Sequence, residues 1–204
     1  MQDDRCEGPV GKLANFVSQI KLNTIAPRKP YYHMGATISD SVLQAGINYR
    51  YVVYPRIKKL AEEFPDYRTT CDFIELMRKI PLAELLTWKS SIKLERIRAL
   101  TRLLRKNAIQ DEEQLAVWMR HDGNIKRLSE IKGIGPKTID YLKMLAGIQT
   151  IAVDRHLFKF LELAGVVSKN YQEVSGIYRS AAEILGMTLY ELDKKVWIYM
   201  SNTR

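Results

Sequence analysis

The segment Ile131-Lys132-Gly133-Ile134-Gly135-Pro136-Lys137-Thr138 sets two glycines and a proline between two apolar stretches of helical periodicity. Nothing else in the chain constrains the fold as tightly. Glycine lets the backbone turn sharply and lets another molecule approach with no Cβ in between. Proline suits the first turn of a helix, where its missing amide hydrogen has no use. A helix therefore ends before Gly133 and another begins near Pro136, giving a tight hairpin of two helices. Elsewhere apolar residues recur at helical spacing and no convincing alternating strand appears, so the chain reads as all-α with short connections.

The individual helices follow from periodicity and punctuation. Residues 8–22 read as one amphipathic helix, and a proline-bearing connection runs from Thr24 to Gly35. Ser39 or Asp40 is expected to cap the next helix, which contains Val42 and Leu43. A helix over Tyr49–Glu63 should kink or break at Pro55. Further helices are expected at 69–79, 81–87, 92–106, 111–121, 124–131, 136–146, 155–164, 170–185 and 188–201. Asp111 should cap the fourth of these, with Gln114 as its capping-box partner.

A formal charge of +9 predicts a polyanionic partner, nucleic acid or an anionic membrane. Cys6 and Cys71 are far apart and outside any C-x-x-C spacing, so no zinc or iron–sulfur site is expected. The absence of an apolar run of transmembrane length or a signal-peptide core predicts a soluble, intracellular protein, with no membrane partner. At the hairpin, the amides around Gly135 to Thr138 would point outward at the positive end of a helix dipole, a sequence-independent phosphate site. Lys132, Lys137 and Lys143 add charge near it. The competing reading is a connection whose glycines serve only the turn.

Further along stands Ile151-Ala152-Val153-Asp154-Arg155-His156, with an acid where a helix should begin. Residues 128–156 together resemble the helix-hairpin-helix, Gly/Pro, Asp signature of the endonuclease III and 8-oxoguanine glycosylase superfamily. Lys132 replaces the proline usual in that hairpin. The resemblance implies an all-α fold of two helical lobes with the active site in the cleft between them. Residues 37–149 would form a helical barrel ending in the hairpin, and residues 1–36 plus 150–204 the second lobe. It is weaker at Leu43-Gln44-Ala45, similar to the segment whose glutamine fills the gap left by an extruded base, and at Val196-Trp197.

The implied activity is that of a bifunctional DNA glycosylase and AP lyase of base excision repair, acting as a monomer on double-stranded DNA with a damaged or abasic site. Lys137 falls on the Schiff-base lysine and Asp154 on the catalytic aspartate; Gln44, Lys132, Gly133, Gly135 and Thr138 would contact DNA. Amine attack needs a neutral amine, favoured by desolvation or nearby positive charge. The backbone carbonyls of Ser129, Ile131 and Ile134 would hold a monovalent cation, and no other cofactor is implied. Oxidised pyrimidine is the first substrate expectation and 8-oxoguanine the second. Bland alternatives stand beside these roles: an ion pair of Lys137 with Asp140, helix capping by Asp154, and a DNA-binding hairpin without catalysis. Tyr49, Tyr51 and Tyr54 are expected as a buried aromatic seam rather than as base-stacking groups.

Overall fold

Ten consecutive buried residues, Met34–Leu43, form helix α2, around which the larger part of the protein is built. The computed structural model describes residues 8–20 and 30–202. Twelve α-helices and one π turn make up the described residues, with no strand among them, so the protein is all-α. No helix of the described residues is long and apolar enough to cross a membrane. The chain divides into two units, one ending at Ile148 and the other joining the N-terminal helix to the residues from Gln149 onward.

In the larger unit α2 starts earlier than the sequence suggests. His33 is its cap, its Nδ1 accepting the Ala36 amide at 3.1 Å, while Ser39 and Asp40 are buried inside the helix. Gly35 belongs to the first turn because the Phe73 ring lies 2.5 Å from where a Cβ would stand. The start is also tied to a distant segment. Buried Glu112 accepts the His33 amide at 3.1 Å and the Thr37 hydroxyl at 2.6 Å, a carboxylate at the positive end of a helix. Burial pushes the His33 imidazole below its ordinary pKa.

A five-residue π turn, Tyr49–Val53, follows, and α3 spans Tyr54–Glu63 with Pro55 in its first turn. The proline thus breaks the expected helix by starting a new one. Helices α4 (Thr70–Lys79), α5 (Leu82–Leu85), α6 (Ser91–Lys106) and α7 (Glu112–Trp118) pack around α2 with α8 (Asp122–Ser129) and α9 (Pro136–Leu145). Thr69 and Asp72 form a full capping box on α4. Asp111 caps α7, accepting the Gln114 amide at 2.8 Å. Gln114 does not complete the box, since its side chain accepts the amide of Gln110.

The smaller unit contains α1 (Pro9–Gln19), α10 (Arg155–Leu163), α11 (Tyr171–Ile184) and α12 (Leu189–Asn202). Residues 21 and 22, expected at the end of the first helix, and the connection up to residue 29 lie outside the described residues. Its core joins Leu13 and Val17 to Phe160, Tyr178, Leu192 and Val196. Phe16, Phe160 and Tyr199 pack in tilted and edge-to-face pairs, with ring centroids 5.1–6.4 Å apart. The buried Tyr178 hydroxyl donates to the Leu157 carbonyl at 2.8 Å, a bond worth about 1 kcal/mol and costlier to leave unmade.

Candidate active site

Helices α2 and α9 meet through two polar contacts one helical turn apart on each helix. Gln44, at the end of α2, accepts from Lys137 in the first turn of α9, with Nζ to Oε1 at 3.0 Å. One turn inward, Asp40 accepts from the Tyr141 hydroxyl at 3.3 Å. Asp40 is fully buried, and the Tyr31 and Tyr49 hydroxyls also donate to its carboxylate, at 2.8 and 3.3 Å. A buried carboxylate is tolerable only when its lone pairs are so engaged.

Helix α6 supplies two further cations. Lys93 donates from Nζ to the carbonyls of Leu43 and Ala45 at 2.7 Å each and of Val42 at 3.4 Å, closing the C-terminal end of α2. Burial pushes its ammonium down to about 8, and repulsion from Arg96 and Lys137 adds to the shift. The three carbonyls, at the negative end of the helix, hold the charge against that cost. One turn along α6, Arg96 donates from Nε to the Lys132 carbonyl at 3.0 Å and lies across Gly133.

The hairpin itself turns at Gly133, which has φ +87°, the left-handed region that favours glycine. Gly135 is extended and precedes α9; no side chain caps that helix. First-turn amides have no carbonyl within their own helix to bond, so this end of α9 has the chemistry of an anion site. Lys132 is exposed beside it, whereas the Thr138 side chain is buried and leaves only its amide to serve there.

Around the turn, the Ile131 carbonyl accepts the Ile134 amide at 2.9 Å and keeps a second lone pair. With Ser129 and Ile134 it offers neutral oxygens, a donor type that fits a hard cation of low charge. Asp140 ion-pairs with Lys143 at 3.5 Å.

Asp154 belongs to the smaller unit. Its Oδ1 accepts the amides of His156 at 2.8 Å and Leu157 at 3.2 Å, so it caps α10 as its position predicts. Gln44, expected to fill a gap in DNA, is 8% exposed and turned onto Lys137. Tyr49 is half-buried against Asp40, but Tyr51 and Tyr54 are 72% and 46% exposed, so the expected buried seam does not form. Sequence reasoning missed Lys93, Arg96 and the Asp40 cluster. The two i,i+4 pairs, Asp40 with Gln44 and Lys137 with Tyr141, were the available signal.

The described residues are thus all-helical, with a glycine hairpin that opens a lysine-bearing helix. The structure is similar to the crystal structure of Helicobacter pylori 3-methyladenine DNA glycosylase (MagIII) bound to 1,N6-ethenoadenine, with a TM-score of 0.59. The likeness covers 96% of this chain and 98% of that one at 14% identity, and it shows the fold alone. Residues 85–201 match the family model described as Domain of unknown function (DUF8548), and the chain belongs to that family.

Proposed function

We propose that the protein is a DNA glycosylase of base excision repair, with AP lyase activity carried by Lys137. The observation that carries the reading is Lys137 itself, set at the uncapped end of the hairpin helix and fixed by Gln44 at 3.0 Å. An enzyme acting on a glycosidic bond must take the nucleotide out of the stack. The hairpin amides and Lys132 would grip the strand by its phosphates, with the Ser129, Ile131 and Ile134 carbonyls holding a monovalent cation beneath them.

In the reaction, Lys137 first gives up a proton to solvent, and its amine then attacks C1′ of the sugar. The C1′–N bond breaks, and the base leaves with the electron pair and takes up a proton. Ring opening gives a protonated imine, which acidifies the 2′ position. The freed O4′ takes a proton from water, and loss of a 2′ proton to water then expels the 3′ phosphate by β-elimination and nicks the strand. Asp154 is assigned to the positive charge that develops on the sugar.

Oxidised pyrimidine is the first substrate class to test and 8-oxoguanine the second. The name of the H. pylori enzyme and the molecule bound to it add 3-methyladenine and 1,N6-ethenoadenine to the panel.

Borohydride reduction in the presence of an abasic duplex tests the reading. A covalent adduct is expected with the native chain and not with Lys137→Gln. An adduct that persists in Lys137→Gln removes that residue from the nucleophile role. Base release from a lesion panel without any adduct leaves a glycosylase and discards the lyase. Binding with neither reaction favours a non-catalytic DNA-binding hairpin.

A further inference from the structure

The π turn after α2 carries the most exposed aromatic side chain of the three tyrosines read as a seam. Tyr51 is 72% and Tyr54 46% exposed, while Tyr49, at the start of the turn, is half-buried. A π turn takes five residues from donor to acceptor, here from the Tyr54 amide to the Tyr49 carbonyl. Turns of this kind are rare, and they cluster at functional sites.

Several contacts make this turn rigid. The Tyr49 hydroxyl bonds Asp40 at 3.3 Å and lies 3.2 Å from the Tyr31 hydroxyl. Asn48 accepts the Tyr51 amide at 3.2 Å. Arg56 donates to the Val52 carbonyl at 2.5 Å and to the Thr87 carbonyl at 3.2 Å. Single exposed tyrosines need no explanation. Tyr51 on the anchored turn and Tyr54 opening α3 directly after it, with the Arg50 guanidinium 5.6 Å from the Tyr51 ring centroid, do. Aromatic faces beside arginine, in a chain of charge +9, are the chemistry that receives unpaired bases on a negatively charged strand.

We infer that Tyr51 and Tyr54 form a stacking ledge for an unpaired nucleobase of distorted DNA, with Arg50 on the adjoining phosphate. The ledge is coupled to the lysine site through one carboxylate. Asp40 binds Tyr49 on the turn and Tyr141 one turn from Lys137. A ledge already fixed loses little entropy on binding, so it adds affinity for a base that the duplex has released. The identity of the strand rests on the reading above; the chemistry of Lys137 does not enter.

The test is fluorescence-anisotropy binding to two duplexes of one sequence, fully paired or carrying a tetrahydrofuran abasic analogue opposite an unpaired base. Tyr51→Ala/Tyr54→Ala is expected to weaken binding to the second duplex roughly tenfold or more, without loss on the paired one. The Tyr51→Phe/Tyr54→Phe chain should bind as the native protein does. Arg50→Ala should instead lower the slope of log affinity against log salt by about 1 on both duplexes. Native-like binding by the double alanine chain, as expected if these tyrosines seat a protein partner, overturns the ledge. An equal loss on both duplexes also overturns it. Failure of the native chain to bind either duplex sinks the DNA reading as well, whereas failed borohydride trapping with the duplex preference intact removes the lyase and spares the ledge.

Discussion

Alanine at Gly133 and alanine at Gly135 add the same methyl group to one hairpin, yet opposite outcomes are expected. Gly133 has φ +87°, where an L-residue costs roughly 1–2 kcal/mol. A Cβ there would also overlap the Arg96 guanidinium. Arg96 must then move and give up its 3.0 Å bond to the Lys132 carbonyl, worth about 0.5–1.5 kcal/mol. Together these make Gly133→Ala about 2–3 kcal/mol less stable, a fall in Tm of about 4–12 °C for a chain of this length.

Gly135 is extended, at φ −105° and ψ −175°, and a Cβ there meets nothing within 4 Å. Its alanine variant should melt within about 2 °C of the native protein. Its effect falls on binding, since the methyl occupies the space through which a phosphate reaches the first-turn amides. A loss of DNA affinity of about tenfold is expected with the fold intact. Thermal unfolding by circular dichroism and anisotropy with a short duplex read the two effects separately. Equal Tm losses would refute the backbone argument, and native-like affinity in Gly135→Ala would refute the phosphate grip.

Two further outcomes follow from the larger unit. Lys93→Met leaves three carbonyls at the end of α2 without their common donor, and should lower Tm by about 3–8 °C and slow borohydride trapping by releasing Gln44; an unchanged Tm removes Lys93 from that role. His33 accepts the Ala36 amide at Nδ1, faces the Phe64 carbonyl at Nε2 and has Glu112 and Arg68 nearby, and burial lowers its pKa below 6.5. The unfolded chain therefore takes up the proton first as pH falls below 6.5, and stability present above that pH is lost on acidification. Between pH 7.5 and 5 the native protein should lose more Tm than His33→Asn, which keeps a capping side chain; parallel curves would contradict this.

What was legible in the sequence was local. Helix identity followed from periodicity, and caps such as Asp111 and Asp154 act on amides two or three residues away. The hairpin was visible because glycine and proline mark backbone geometry directly. The start of α2 was missed because its determinants are distant: Glu112 reaches it from α7, and the Phe73 ring claims the space beside Gly35. Tyr51 and Tyr54 were misplaced for a different reason. A buried aromatic seam presumes α-helical spacing, and the π turn changes which residues face outward.

Lys93 and Arg96 show why the hairpin motif alone under-describes the site. Along the outer helix faces, Lys58, Lys59, Lys79 and Lys159 each pair with a glutamate three or four residues away, so those charges are largely cancelled. Lys93 and Arg96 are held differently. Their donors go to backbone carbonyls, which orient a cation without neutralising it. A helix of net basic character is thus tied to both the end of α2 and the hairpin turn, and its positive potential is delivered beside Lys132 and the uncapped end of α9. An anion drawn to the hairpin meets charge from a segment about forty residues upstream, which no spacing rule within residues 128–156 would reveal. Replacing those carbonyl contacts by an acid, rather than removing the cations, would be the more damaging change to phosphate binding.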